Sequence, residues 1–227
     1  MDVLLLCAGL GTRLRPLTNT IPKCLAPING LPILYYWLDE LNNCESVSRI
    51  FINTHYLYES VNDFMKAVKG LKKEVIILYE PEILGTGGTA KRILNEFQVE
   101  KLLVIHADNY SSVNIETLYQ NLIDSSDSRI ESVICSFITK DSSSCGMLEV
   151  DSRNIMINYV EKPIHYKGDK ANAAIFLTTK KTLLDFFKLF PHSNDLCKDF
   201  LPHQTSKALV MPIKGYHLDI GKIENLK

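Results

Sequence analysis

No stretch of this chain approaches the roughly 18 to 20 consecutive apolar residues that a membrane-spanning helix needs. No basic segment precedes the first apolar run, so no secretory leader is expected. Charge of one sign is not in excess: 25 Lys and Arg against 26 Asp and Glu leave a net charge of -1. A nucleic-acid surface needs a basic surplus, so nucleic acid is not an expected partner. The six cysteines (Cys7, Cys24, Cys44, Cys135, Cys145 and Cys197) contain no C-x-x-C pair, which removes the usual zinc spacings. Scattered thiols in apolar surroundings suit a reducing cytoplasm. No repeat, linker or low-complexity segment divides the 227 residues. A hydrophobic fraction of 46% can fill a sizeable core, so one domain is expected.

What is present is an alternation. Val3 to Cys7 is a continuous apolar run, the mark of a strand covered on both faces. Pro32 opens a helix with Ile33, Leu34, Trp37, Leu38 and Leu41 on one face. Strands at 49–54, 74–79 and 101–106 follow, separated by helices whose stripes run through Val61 and Ile93. Between the last two strands, Glu80 to Gly88 reads as a polar, glycine-rich loop. Strand-helix alternation of this kind predicts a parallel sheet with helices on both faces. Beyond Asp108 the pattern changes to a helix at 115–124, a strand at 132–139, a hairpin around 151–154, a strand at 171–177, a helix at 178–190 and closing strands at 208–213 and 216–218.

The loop after the first strand carries the chemistry. Gly9-Leu10-Gly11-Thr12-Arg13-Leu14 starts like a dinucleotide fingerprint but has Leu14 at the third glycine position, and no Gly-Lys-Ser/Thr ending of a P-loop follows. A strand, a glycine turn and then cations still describe a backbone that approaches a polyanion.

The longer run is more specific. Ala8-Gly9-Leu10-Gly11-Thr12-Arg13-Leu14-Arg15-Pro16-Leu17-Thr18, followed by Pro22-Lys23, resembles the signature of the sugar-1-phosphate nucleotidyltransferases. The resemblance continues in the family's order through Leu84-Gly85-Thr86-Gly87-Gly88, Ala107-Asp108, Cys145-Gly146, Val160-Glu161-Lys162-Pro163, Asn172-Ala173-Ala174 and Asp219-Ile220-Gly221. It implies an α/β fold: a single-domain three-layer sandwich with a mixed, mostly parallel central sheet, similar to glycosyltransferase-A folds. Residues 1–110 would form a nucleotide-binding half and residues 111–227 a sugar-phosphate-binding half. The implied reaction is attack of a sugar 1-phosphate oxygen on the α-phosphorus of a nucleoside triphosphate, with pyrophosphate leaving and a nucleotide sugar formed for surface polysaccharide precursors. That attacking oxygen is already anionic, so the demand is for backbone N–H groups, cations and a divalent metal rather than a general base.

By the same resemblance, Ala8, Gly9, Gly11 and Thr12 lie along the nucleotide. Arg13 takes the departing pyrophosphate and Lys23 the phosphates near the reacting centre. Asp108 and Asp219 hold magnesium, a metal that prefers hard oxygen donors. Lys162 pairs with the sugar's phosphate, Glu161 and Asn172 face sugar hydroxyls, and a Gly146 backbone N–H meets the sugar. His106 and His217 are read as structural. Ala174 stands where the family has glycine.

Base choice would rest on Glu80, with Gly85 and Gly88 in the same loop. A carboxylate can accept from both N1–H and N2–H of guanine, a donor pair no pyrimidine offers. GTP and a heptose- or mannose-type sugar 1-phosphate are therefore the expected substrates, and E-x-E-x-L-G-T-G-G is similar to heptose- and mannose-1-phosphate guanylyltransferases. A uridylyl- or thymidylyltransferase is the alternative within the family, and a non-catalytic regulatory subunit the alternative outside it. A glycosyltransferase with a nucleotide-sugar donor would favour a D-x-D motif, absent at Asp108-Asn109-Tyr110. Because the sequence stops soon after Gly221, no appended β-helical acyltransferase is expected.

Overall fold

The computed structural model describes residues 1–221; residues 222–227, the end of the span read as one domain, lie outside the described residues. In chain order the elements are β1 (Asp2–Leu6), β2 (Pro27–Ile28), β3 (Leu31–Pro32), α1 (Ile33–Asn43), β4 (Arg49–Thr54), α2 (Tyr58–Ala67), β5 (Glu74–Tyr79), α3 (Gly85–Glu96), β6 (Lys101–His106), β7 (Asn109–Ser111), α4 (Ile115–Ile123), β8 (Ser132–Ile138), β9 (Gly146–Val150), β10 (Met156–Glu161), β11 (Lys170–Thr179), α5 (Lys180–Leu189), β12 (Ala208–Pro212) and β13 (His217–Asp219).

Among the described residues, nine strands form one mixed sheet in the order β10-β9-β11-β6-β1-β4-β5, with β8 on β11 and β12 on β8. The first-half strands β5, β4, β1 and β6 are all parallel. Antiparallel β11 ties them to the second half through β6. Alternate residues of β1 explain the three layers. Val3 and Leu5 pack with α1 and α4, while Leu4 packs with α3 and α5. Each fully buried leucine of this kind contributes about 1.5–3 kcal/mol.

Register fixes where a ligand can bind. Leu6 lies opposite both Asn53 and His106, and Asn53 opposite Leu78. The carboxyl ends of four parallel strands therefore finish on one line, where α/β sheets open their crevice.

Four departures from the sequence expectation have physical causes. Helix α1 is preceded by a β2–β3 hairpin, whose turn residues Asn29 (φ 49) and Gly30 (φ 84) both adopt the left-handed backbone of a tight primed turn. The glycine-rich loop ends at Leu84, because Gly85 to Gly88 already form the first turn of α3. The closing strand β13 joins β7 in a separate two-stranded ladder rather than the main sheet. Residues 196–204, without helical periodicity, coil as a short π turn and a 3-10 turn that bury Leu196, Phe200 and Leu201.

Candidate functional site

The loop that leaves β1 is built to stay in place. Cys7 N–H donates to Asn53 Oδ1 at 2.8 Å, which anchors the strand end to β4. Gly11 has φ +63, and a Cβ there would lie 2.9 Å from Thr18 Cγ2, so glycine is required twice over. Thr18 Oγ1 donates to the Gly11 carbonyl at 2.7 Å. Leu14, the residue that breaks the dinucleotide pattern, is fully buried and pins the turn to the core. Lys23 then enters a 3-10 turn, with its side chain only 10% exposed.

These residues border a cavity of about 200 Å³ whose wall includes Ala8, Gly9, Lys23, Asn53, Gly85 and Asp108. A second cavity of about 180 Å³ includes Gly146, Glu161, Lys162, Asn172, Arg13 and Asp219. The two share His106 and Asp108. His106, read as structural from sequence, is thus part of the wall between them. Arg13 stands on the second cavity rather than the first, because its guanidinium reaches Asp219 at 3.8 Å.

Glu80 requires a correction. It is fully buried, and Asn53 Nδ2 donates to its Oε1 at 3.0 Å while Leu84 N–H donates to its Oε2 at 3.2 Å. The Thr89 hydroxyl lies against the same Oε1. Both carboxylate oxygens are engaged inside the protein, and among the described residues Glu80, Gly11, Thr12 and Gly88 are not in the first cavity's wall. Glu80 instead fastens the end of β5 to β4 and to the start of α3. The residue it presents to the cavity is Asn53, which the sequence reading missed. Asn53 carries no motif, but its place at the carboxyl end of a parallel strand is the signal that could have found it.

The glycines of α3 have a second cause besides ligand approach. Gly87 N–H donates to the Asn194 carbonyl at 2.9 Å, and Leu196 N–H donates to Thr86 Oγ1 at 2.7 Å. Segment 194–196 sits so close that a Cβ on Gly87 would be 3.0 Å from the Asn194 backbone.

In the second cavity, Ala174 has φ 54, in the region that favours glycine, and its N–H donates to Asn172 Oδ1 at 2.9 Å. Glycine would adopt this backbone at no steric cost; here alanine adopts it, held by the Asn172 bond. Gly146 does not simply expose its N–H. A Cβ on it would meet the phenol of Tyr159 and lie 2.7 Å from Glu161 Oε2. His217 packs its ring on Phe137 at 4.4 Å, and burial holds its imidazole down to about 4, so it is neutral at pH 7.

Charge is concentrated where the cavities meet. The Lys23 ammonium lies against Asp108 Oδ2 and 3.7 Å from Asp219 Oδ1. Burial raises the Asp108 carboxyl, but Lys23, His106 and the Lys23 hydrogen bond outweigh it and leave it below the usual carboxylate range. Asp219 is fixed by a 2.7 Å hydrogen bond from Gly221 N–H. Two carboxylates converging on one cation form a fitting donor pair for magnesium, which prefers oxygen ligands and takes the rest from phosphates and water. Such a metal would supply charge neutralisation at phosphate oxygens. The chain itself brings a buried ammonium, a nearby guanidinium and loop backbone to the junction of two cavities. That set can draw two anions together and stabilise charge in transfer between them.

Known proteins resemble this chain along nearly its whole length. The nucleotidyl transferase family model matches residues 2–227. The chain is 29% identical to D-glycero-alpha-D-manno-heptose 1-phosphate guanylyltransferase of Campylobacter jejuni, over 99% of this chain and 96% of that protein. It is 29% identical to the mannose-1-phosphate guanylyltransferase catalytic subunit beta of Drosophila melanogaster, over 96% of this chain but only 59% of that protein. A crystal structure of HddC from Yersinia pseudotuberculosis complexed with GMP-PN matches with a TM-score of 0.78 and 27% identity, covering 99% of this chain and 96% of that one.

Proposed function

The chain belongs to the nucleotidyl transferase family, and from that membership we propose that it transfers a guanylyl group from GTP to a heptose- or mannose-type sugar 1-phosphate, releasing pyrophosphate. The observation that carries this reading is the pair of cavities that share Asp108 and His106, with Lys23 buried between the two acids. The first cavity, in the 1–110 half, takes the triphosphate. The second, built mainly by the 111–227 half, takes the sugar 1-phosphate against Lys162, Glu161 and Asn172. Lys23 faces the reacting phosphates; Arg13, on the second cavity beside Asp219, reaches across the junction to the charge that departs from the first; and Asp108 with Asp219 holds magnesium.

No general base is needed, because the sugar phosphate arrives ionised. Catalysis then consists of alignment and of cations placed where charge builds up. The names of the Campylobacter and Drosophila relatives and the GMP-PN in the Yersinia structure support guanine. Glu80 shapes the nucleotide cavity as a whole through Asn53 and the Leu84–Gly85 turn rather than by touching the base.

The test is a pyrophosphate-release screen of four nucleoside triphosphates against a panel of sugar 1-phosphates that includes mannose 1-phosphate and D-glycero-α-D-manno-heptose 1-phosphate. Release with GTP and one of these two supports the reading. Release with only a pyrimidine triphosphate refutes the base, and no release with any pair refutes the enzyme.

A further inference from the structure

We infer that Tyr159 is a positioning residue for the sugar 1-phosphate, its phenol oxygen fixing Glu161 and Asn172 in one arrangement on the wall of the second cavity. The inference rests on the reading of that cavity as the sugar-phosphate site. Tyr159 and Glu161 are two apart on β10, so their side chains share one face of the strand. The Tyr159 hydroxyl donates to Glu161 Oε2 at 2.7 Å and accepts from Asn172 Nδ2 at 3.4 Å. Asn172 in turn holds the left-handed turn at Ala174 through its Oδ1. One oxygen thereby joins side chains from β10 and β11, two strands that do not pair directly in the sheet.

The ring itself cannot wander. It is 6% exposed and packed in the cluster that contains Leu148, Met156, Phe176 and Leu183. A phenylalanine would satisfy that packing equally well, so the hydroxyl is present for its two hydrogen bonds. Gly146 lies opposite Glu161 in the β9–β10 ladder, and its missing side chain is the space the phenol occupies. Burial, then the neighbouring Cys197 and Glu161, push the phenol far above its ordinary value. The hydroxyl therefore keeps its proton at any working pH and remains a donor to the Glu161 carboxylate. A carboxylate held by a fixed donor on one oxygen presents the other in a fixed direction: Glu161 Oε1 stands 3.5 Å from the Lys162 ammonium, so the carboxylate faces a sugar hydroxyl beside the cation assigned to the sugar's phosphate.

Tyr159→Phe keeps the ring and removes only the oxygen. With the best sugar 1-phosphate from the panel above, its KM should rise about tenfold, the loss expected for a hydrogen bond to a charged group, while the KM for the triphosphate moves less than about twofold. In a Glu161→Ala background the same change should cost less than about twofold, because residues acting through one another are not additive. Equal changes in both KM values, or full additivity with Glu161→Ala, overturn the inference, since a merely structural residue would act that way. If no sugar 1-phosphate turns over with the unaltered protein, the functional reading fails instead. A crystal structure of Tyr159→Phe then decides this point alone: displacement of Glu161 or Asn172 by more than about 0.5 Å supports the positioning role, and smaller shifts overturn it.

Discussion

The ammonium of Lys23 lies against the carboxylate of Asp108 and 3.7 Å from that of Asp219, so one buried cation bridges two acids that stand 111 residues apart in the chain. Lys23 thus occupies the place between the two carboxylates. On the proposed reading, Asp108 and Asp219 would hold a divalent cation and the Lys23 ammonium would turn to the phosphates, so metal and triphosphate together would exchange for this ion pair.

That exchange gives the first prediction. Lys23→Met should tighten Mn²⁺ binding to the nucleotide-free protein by at least about tenfold, because a unit positive charge a few ångströms away opposes the metal. Titration calorimetry or Mn²⁺ resonance measures this. Turnover should fall by about 100-fold or more, as when a preorganised transition-state contact is lost. Metal affinity unchanged by the substitution would contradict the shared place.

Asp108→Asn and Asp219→Asn should each reduce turnover by a similar factor, and the unaltered protein should stop in excess chelator and recover with Mg²⁺. Full activity in chelator would remove the metal assignment from both residues.

Gly11→Ala should destabilise the protein by about 1–3 kcal/mol, from the left-handed backbone and the contact with Thr18. It should also raise the KM for the triphosphate. Thermal unfolding and initial-rate measurements check the two effects, and a Tm unaltered by the methyl group would contradict the strain.

Glu80→Gln keeps the shape of the side chain but weakens its grip on Asn53 and Leu84. The KM for every accepted triphosphate should rise together, by roughly three- to tenfold, with the order of base preference retained. A selective loss for GTP would restore Glu80 as a direct reader of guanine.

Glu116, in the first turn of α4, is bonded by the Ser46 hydroxyl and, at 3.1 Å, by the Ser46 N–H. Those bonds hold its carboxyl down to about 2 from an ordinary 4.5. A folded-state value below the unfolded one stabilises fully above about 4.5 and loses that contribution as pH falls toward 2. Melting curves across this range should drop more steeply for the unaltered protein than for Glu116→Gln, which should also be less stable at pH 7.

The parallel half of the fold was legible because its strands are continuous apolar runs at regular spacing; in the loop after β1 the motif was legible, but the tasks of Gly11 (a left-handed turn against Thr18) and Leu14 (burial in the core) emerge only in the fold. The rest depends on contacts between distant segments. β7 is three residues long and exists only through β13, about a hundred positions later. The 194–196 backbone that receives α3 has no periodicity to announce it, so the glycines at 85–88 read as a loop. Glu80 was read by its residue type, whereas its meaning lies in burial beside Asn53 and Thr89. Tyr159 carries no motif, and its hydroxyl acquires partners only when β10 and β11 are folded around Gly146.

The central claim is that the sugar phosphate oxygen attacks the triphosphate at the junction of the two cavities. Supplying the accepted sugar 1-phosphate with ¹⁸O in its three non-bridging phosphate oxygens, together with GTP, tests it directly by mass spectrometry. Attack by the sugar phosphate on the α-phosphorus gives a nucleotide sugar that retains all three labels and pyrophosphate that contains none. An unlabelled nucleotide sugar beside labelled inorganic phosphate, which would mean displacement at the sugar carbon, or no nucleotide sugar at all, would contradict it.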